Sequence, residues 1–298
     1  MAGLYHFPYV FFSDGVELVA RVHRNVDNLT DRQIGVVVTG SWLTVKEQMA
    51  DRYAVELARR GYTALTFDFA GFGESAGQPR QLELPNRKIA DIIAAATFLS
   101  TCAFVHTGKL GYLAICATSQ YALHAIARGM PIAAFASVAG WHHDAETVAS
   151  FYGGGEGVAE RMARAQDALT LYRRTGDVRM VPAYAKGDPR AGMSFPIDYY
   201  GDPARGAIPA WRNEMAEMSW LYWLTFDGLA AADRVQVPTL MVHGDACALP
   251  ENAKEVHRRL ARAELIWSDG AQQDFYDGAS FVEKAVAAVD AHFSATLR

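Results

Sequence analysis

Short β-branched runs alternate with amphipathic stretches through the first 140 residues, and no other feature restricts the fold as strongly. Runs 9–13 and 16–23 flank Asp14-Gly15, a two-residue hairpin signal. Runs 34–39, 62–68, 110–115 and 132–139 are dominated by apolar and β-branched residues, as strands buried on both faces require. Between them, 45–60, 89–101 and 118–128 read as helices, the first stopped by Gly61. Such alternation implies right-handed crossovers and a largely parallel sheet covered by helices on both faces. The beat stops after Trp141 and returns as a strand at 238–243, a helix at 252–261, a strand at 264–267 and a helix at 280–297. The expectation is an α/β core from 1–141 and 236–298, interrupted by a helical cap at 142–235.

Composition excludes several classes of function. Twenty-eight basic and thirty-three acidic residues give a net charge of −5 with no basic run, which argues against a nucleic-acid surface. A chain of 298 residues buries enough surface to need neither disulfide nor metal. Cys102, Cys116 and Cys247 are odd in number and widely spaced, so a reducing, cytoplasmic setting is expected. The N-terminal residues lack a signal-peptide pattern, and no apolar run approaches the ~18 residues of a membrane span. No two histidines share a metal-ligand spacing with a carboxylate, so no metal is expected. Gly71-x-Gly73 lacks the third glycine and distal acid of a dinucleotide fingerprint, so no cofactor is expected either.

The stretch Gly111-Tyr112-Leu113-Ala114-Ile115-Cys116-Ala117-Thr118-Ser119 carries the chemistry. A strand runs straight into a helix there, with a nucleophile-type residue at the turn. So sharp a turn needs small residues two before and two after the nucleophile. Cys116 has Ala114 and Thr118 at those positions, whereas Ser119 would have the bulky Tyr121. Cys116 is therefore the candidate nucleophile, with a buried structural thiol as the alternative.

With these residues in hand, the chain resembles the α/β-hydrolase superfamily over nearly its whole length. Asp68-Phe69-Ala70-Gly71-Phe72-Gly73-Glu74-Ser75 is similar to the loop after the fourth strand, and Ala114–Thr118 to the nucleophile elbow. Val242-His243-Gly244-Asp245 is similar to the strand end that delivers the acid. Lys46-Glu47-Gln48, Gly140-Trp141 and Asp274-Phe275-Tyr276-Asp277 resemble the dienelactone-hydrolase-like branch, which includes polyketide-transferase-like proteins with Cys at the elbow. The resemblance implies Asp245 as the acid, with Glu251 the nearest alternative. It puts the oxyanion-hole amides on Ala117 and on Trp42 or Ser41, and the base at Gln272, where a histidine belongs.

That missing histidine limits what can be carried over. Serine needs a neighbouring base, but a cysteine at a helix N-terminus is expected to be more acidic than usual and less dependent on one. Acyl attack stays feasible, while release to water is slowed, so acyl transfer or cyclisation gains on hydrolysis. His142 and His143 follow the strand ending near Trp141 and are the candidate surrogate bases. Trp141, His142, Trp211 and Met215 are the expected pocket residues, the last two from an aromatic and Met-rich stripe at helical spacing in the insertion. The expected partner is a small apolar acyl substrate, with no nucleic acid and no membrane, and a homodimer is left open. Two functions follow: an ester- or thioester-cleaving acyl hydrolase or acyltransferase using Cys116, and a hydrolase-derived small-molecule binding protein.

Overall fold

The computed structural model describes residues 3–298. Strands β1 (Leu4–Ser13), β2 (Val16–Asn25), β3 (Gln33–Thr39), β4 (Thr63–Phe67), β5 (Val105–Ile115) and β6 (Ala134–Val138) come first. Helices α1 (Met49–Arg59), α2 (Pro85–Thr101) and α3 (Thr118–Ala127) separate β3 through β6. Strands β7 (Met180–Val181) and β8 (Met215–Ala216) form a separate small sheet, and β9 (Thr239–His243) and β10 (Ala263–Trp267) complete the large one. The eight-stranded order is β1-β2-β4-β3-β5-β6-β9-β10. Only β1 with β2 and β2 with β4 pair antiparallel; every other neighbour is parallel.

The hairpin turns on Asp14 and Gly15, with φ of 47° and 79°. Every residue of β3, β4, β6 and β9 is buried, which explains why these strands read as unbroken apolar runs rather than alternating ones. At the centre of the sheet Gly111 accommodates the terminal helix α10 (Ala279–Leu297), because a Cβ there would lie 3.0 Å from the Phe293 ring. Among the described residues, no helix is long and apolar enough to cross a membrane.

Residues 142–235 add no strand to the large sheet. Their helices are α4 (Ala145–Ala149), α5 (Gly154–Thr175), α6 (Asp198–Gly201) and α7 (Trp220–Trp223). Between Trp211 and Phe226 the regular structure is a two-residue strand, a short 3-10 turn and α7, so the expected helical stripe is corrected. Its side chains are large and apolar because short, irregular elements are buried there. Helix α8 (Pro250–Arg259) follows β9, and the four-residue α9 (Asp274–Asp277) precedes α10.

Because β3, β4, β5, β6, β9 and β10 are parallel, their carboxyl ends share one edge of the sheet. Open α/β sheets gather their sites at that edge. The segments emerging there carry Ser41 and Trp42, Asp68, Cys116, Ala139–Trp141, Gly244–Ala248 and Gln272.

Candidate active site

Cys116 connects β5 to α3 with φ at 60°, a left-handed conformation that costs a non-glycine residue on the order of 1–3 kcal/mol. Three backbone bonds hold it. Its N–H donates to Val138 O (3.1 Å), and its carbonyl accepts from Ser119 N and Trp141 N (each 3.0 Å). Ala114 and Thr118, two residues to either side, are small and fully packed. The Thr118 hydroxyl donates to Gly40 O (2.7 Å) and accepts from the Thr39 hydroxyl (2.9 Å). One side chain thus ties the elbow to the loop after β3. Thr118→Val is expected to lower unfolding free energy by about 1–3 kcal/mol by stranding that carbonyl, as a urea midpoint would show.

The sulfur is almost fully buried, at 4 % residue exposure, yet it borders a cavity of ≈ 150 Å³. The floor comes from Ser41, Cys116, Ala117, Gln272 and Tyr276. Aromatic rings form the roof, among them Trp42, Trp141, Phe151, Tyr152 and Trp223, and Met193, Phe195 and Ile197 close one side. Among the described residues, no charged side chain lines it. Trp42 stacks on Trp223 with ring centroids 4.4 Å apart. The indole N–H groups of Trp141 and Trp223 are engaged by His143 Nδ1 (2.7 Å) and the Tyr152 hydroxyl (3.2 Å), whereas Trp42 Nε1 is buried without a partner among the described residues.

The Ser41 amide donates to the Met49 sulfur (3.4 Å), which removes it as an oxyanion donor. Among the described residues, the amides of Trp42 and Ala117 have no backbone acceptor, and the Ala117 N–H faces the Cys116 sulfur. The loop carrying Trp42 is pinned from behind. Asp68 accepts from Lys46 N (2.9 Å), Glu74 N (3.0 Å) and Lys46 Nζ (2.7 Å), and Lys46 also pairs with Glu47 at 2.8 Å.

Burial pushes the Cys116 thiol up, against the neighbouring Ser41, Tyr276 and Gln272 side chains and the Ala117 N–H, whose polar groups favour the thiolate. This corrects the expectation that the helix N-terminus alone makes it acidic. Desolvation in an apolar cavity outweighs a partial charge that acts only over the first turn.

The structure removes the other triad candidates. Asp245 points to solvent, with a 78 % exposed side chain whose ion-pair partner is Lys254 at 3.8 Å. Glu251 is likewise exposed and paired with Lys254. Cys247, two residues beyond Asp245, turns inward instead, its sulfur 3.5 Å from Gly270 O and its thiol pushed up to about 12 by burial. Gln272 stands on the cavity floor with its amide fully engaged. Its Oε1 accepts from Ala248 N (2.9 Å), and its Nε2 donates to Ala139 O (2.8 Å) and the Tyr276 hydroxyl (3.2 Å).

His142 and His143 are buried and line no part of the cavity. His143 Nδ1 accepts from Trp141 and its Nε2 donates to Trp223 O (2.8 Å), so its lone pair is already taken. Burial lowers it to about 4, against the Trp223 carbonyl and Asp144. His142 is lowered to about 3 by burial and by the neighbouring His243 and His143. Neither serves as base for Cys116. Trp211 and Met215 are also absent from the lining. Trp211 packs on Tyr200 and donates to Leu43 O (2.8 Å), and Met215 is fully buried in β8.

Several cavity residues were not singled out from sequence. Tyr276 and the wall residues Phe151, Tyr152, Met193, Phe195 and Ile197 belong here, and among them Tyr276 alone had a signal, within Asp274-Phe275-Tyr276-Asp277. Among the described residues, no cluster of three or more His, Cys, Asp or Glu is arranged to hold a metal.

No protein-family model matches the chain. The hypothetical protein PA2218 of Pseudomonas aeruginosa is 28% identical over 275 residues, covering 88% of this chain and 73% of that one. Its crystal structure superposes with a TM-score of 0.83 at 23% identity, over 98% of this chain and 95% of that one. The polyketide transferase claH of Penicillium crustosum is 36% identical over 115 residues, covering 38% of this chain and 37% of its own. The α/β hydrolase GrgF from Penicillium sp. sh18 superposes at 0.76 with 17% identity, over 98% and 99% of the two chains. The chain has the α/β-hydrolase fold.

Proposed function

We propose that the protein is an acyl-transferring enzyme that forms a covalent acyl thioester on Cys116. The observation that carries this reading is a cysteine held in a left-handed turn against an apolar cavity, with the Ala117 amide facing its sulfur and Trp42, whose amide has no backbone acceptor among the described residues, lining the same cavity. Outliers of this kind cluster where function requires them. The sulfur attacks the substrate carbonyl carbon, and the π pair moves to the oxygen, which the two amides stabilise. Collapse expels the leaving group, which takes up the proton the thiol gave up. A second nucleophile then attacks the acyl carbon and returns Cys116.

The missing base favours thioesters over oxygen esters, because a thiolate leaves without a general acid. It also favours transfer or cyclisation over hydrolysis, since water needs a base to attack. The apolar, uncharged lining fits a neutral acyl chain. The name of the Penicillium crustosum relative, a polyketide transferase, supports the same chemistry. Incubation with hexanoyl-N-acetylcysteamine should leave a hexanoyl group on the Cys116 peptide by mass spectrometry. No adduct, or one that survives Cys116→Ala, sinks the proposal.

The engaged amide of Gln272 also favours a second reading, a ligand-binding protein derived from such an enzyme. Gln272→His separates the two only weakly. With Asp245 in solvent and Asp274 bound to the Ala271 N–H (2.8 Å), no carboxylate orients the new imidazole. Hydrolysis of p-nitrophenyl acetate is expected to rise less than about tenfold, against about 10²–10⁴-fold for a properly placed base. A hundredfold rise would show that the acid is present after all.

A further inference from the structure

We propose that Tyr276 is a catalytic residue whose hydroxyl, oriented by Gln272, donates a hydrogen bond to the Cys116 sulfur and supports its thiolate. The inference deepens the reading of Cys116 as the reactive group and rests on it. The direction of one hydrogen bond decides the argument. Gln272 Oε1 must face Ala248 N–H and its Nε2 must face Ala139 O, so the two ends of the amide are assigned by independent partners. An amide nitrogen only donates. At 3.2 Å from Nε2, the Tyr276 oxygen is therefore the acceptor, and its own hydrogen turns away from Gln272. What remains beside it is Cys116 and Ser41 on the cavity floor and the buried Tyr200 hydroxyl behind them, and of the three only the sulfur develops charge in the reaction.

The phenol is fixed on several sides. Tyr53 donates to the neighbouring Phe275 O (2.8 Å), Arg205 forms a two-pronged ion pair with Asp277 (2.6 Å each), and the Tyr199 ring packs at 5.2 Å. Burial and the nearby Cys116 hold the hydroxyl well above the usual tyrosine range, so it stays a donor. The other titratable groups around the sulfur, Tyr121, Tyr200 and Cys247, are likewise raised by burial and stay neutral below pH 10. A hydrogen bond to the sulfur favours the anion, and no imidazole is present to do so.

Alkylation by iodoacetamide tests this without a substrate: the S–C bond forms as iodide leaves, and the thiol proton goes to solvent. Followed at the Cys116 peptide by mass spectrometry, Tyr276→Phe should move the pH profile to higher pH. It should slow alkylation at pH 7.5 by about 10-fold or more, the ratio one hydrogen bond to a charged group supports. A profile superimposable on wild type means the hydrogen goes to Ser41 or Tyr200, and it overturns the proposal. If that variant does not fold, Gln272→Leu, which leaves the hydroxyl unoriented, should shift the profile the same way, and an unmoved profile is equally fatal. An enzyme that alkylates as expected yet accepts no acyl group defeats the proposed function and leaves this inference standing.

Discussion

Cys116→Ser is expected to lower the rate of acyl-enzyme formation by about 10²–10⁴-fold, the contribution of a positioned base that the site does not have. A serine hydroxyl at the same turn would keep its proton. His143 has committed its lone pair to Trp141, His142 lies outside the cavity, and Gln272 is a neutral amide with no basic atom. Sulfur tolerates these surroundings because the thiol is intrinsically more acidic and more nucleophilic. Folding should be unchanged by near-UV circular dichroism, since the substituted atom sits among hydroxyls. Stopped-flow measurement of the acylation burst checks the loss. A serine enzyme within tenfold of wild type would reveal a base that the structure does not contain.

The second large effect is on acid stability. His142 and His143 are neutral in the folded protein, with values lowered to about 3 and about 4, while an unfolded chain titrates near 6.5. Below pH 6.5 the unfolded state takes up protons that the folded state refuses, so stability falls as pH falls and levels off only near pH 3–4. At pH 5 each imidazole removes about 2 kcal/mol, so the pair removes about 4 kcal/mol relative to pH 7.5. His243, also lowered by burial, acts in the same direction. Urea unfolding at the two pH values measures the difference, and a loss under 1 kcal/mol would contradict it. His142 has no partner at either ring nitrogen among the described residues, so His142→Leu should preserve stability at pH 7.5 and reduce the acid loss by about 2 kcal/mol.

The core was readable because parallel strands buried on both faces leave continuous apolar runs. The elbow was readable because its sterics demand small residues at two fixed positions. Side-chain direction was not. Asp245 and Cys247 lie two residues apart in one loop, and only tertiary packing sends the carboxylate outward and the thiol inward. The histidines failed as bases for a similar reason: adjacency in sequence placed them near the right edge, but ring partners and burial decide basicity. In the insertion, Trp211 and Met215 matched a helical period that the chain does not form. Phe151, Phe195 and Ile197, which do wall the cavity, belong to segments whose aromatic and aliphatic residues follow no period at all.

The two halves of the chamber differ in how freely they can change. Strand ends of one sheet, cross-tied through Thr118, hold the reacting atoms as a rigid block. Apart from Trp42, the rings of the ceiling (Trp141, Phe151, Tyr152 and Trp223) come from short elements between β6 and β9 that add no strand to the large sheet. Replacing a ring overhead should therefore retune which acyl chains are admitted while the chemistry below runs undisturbed, making this scaffold a natural starting point for altered selectivity.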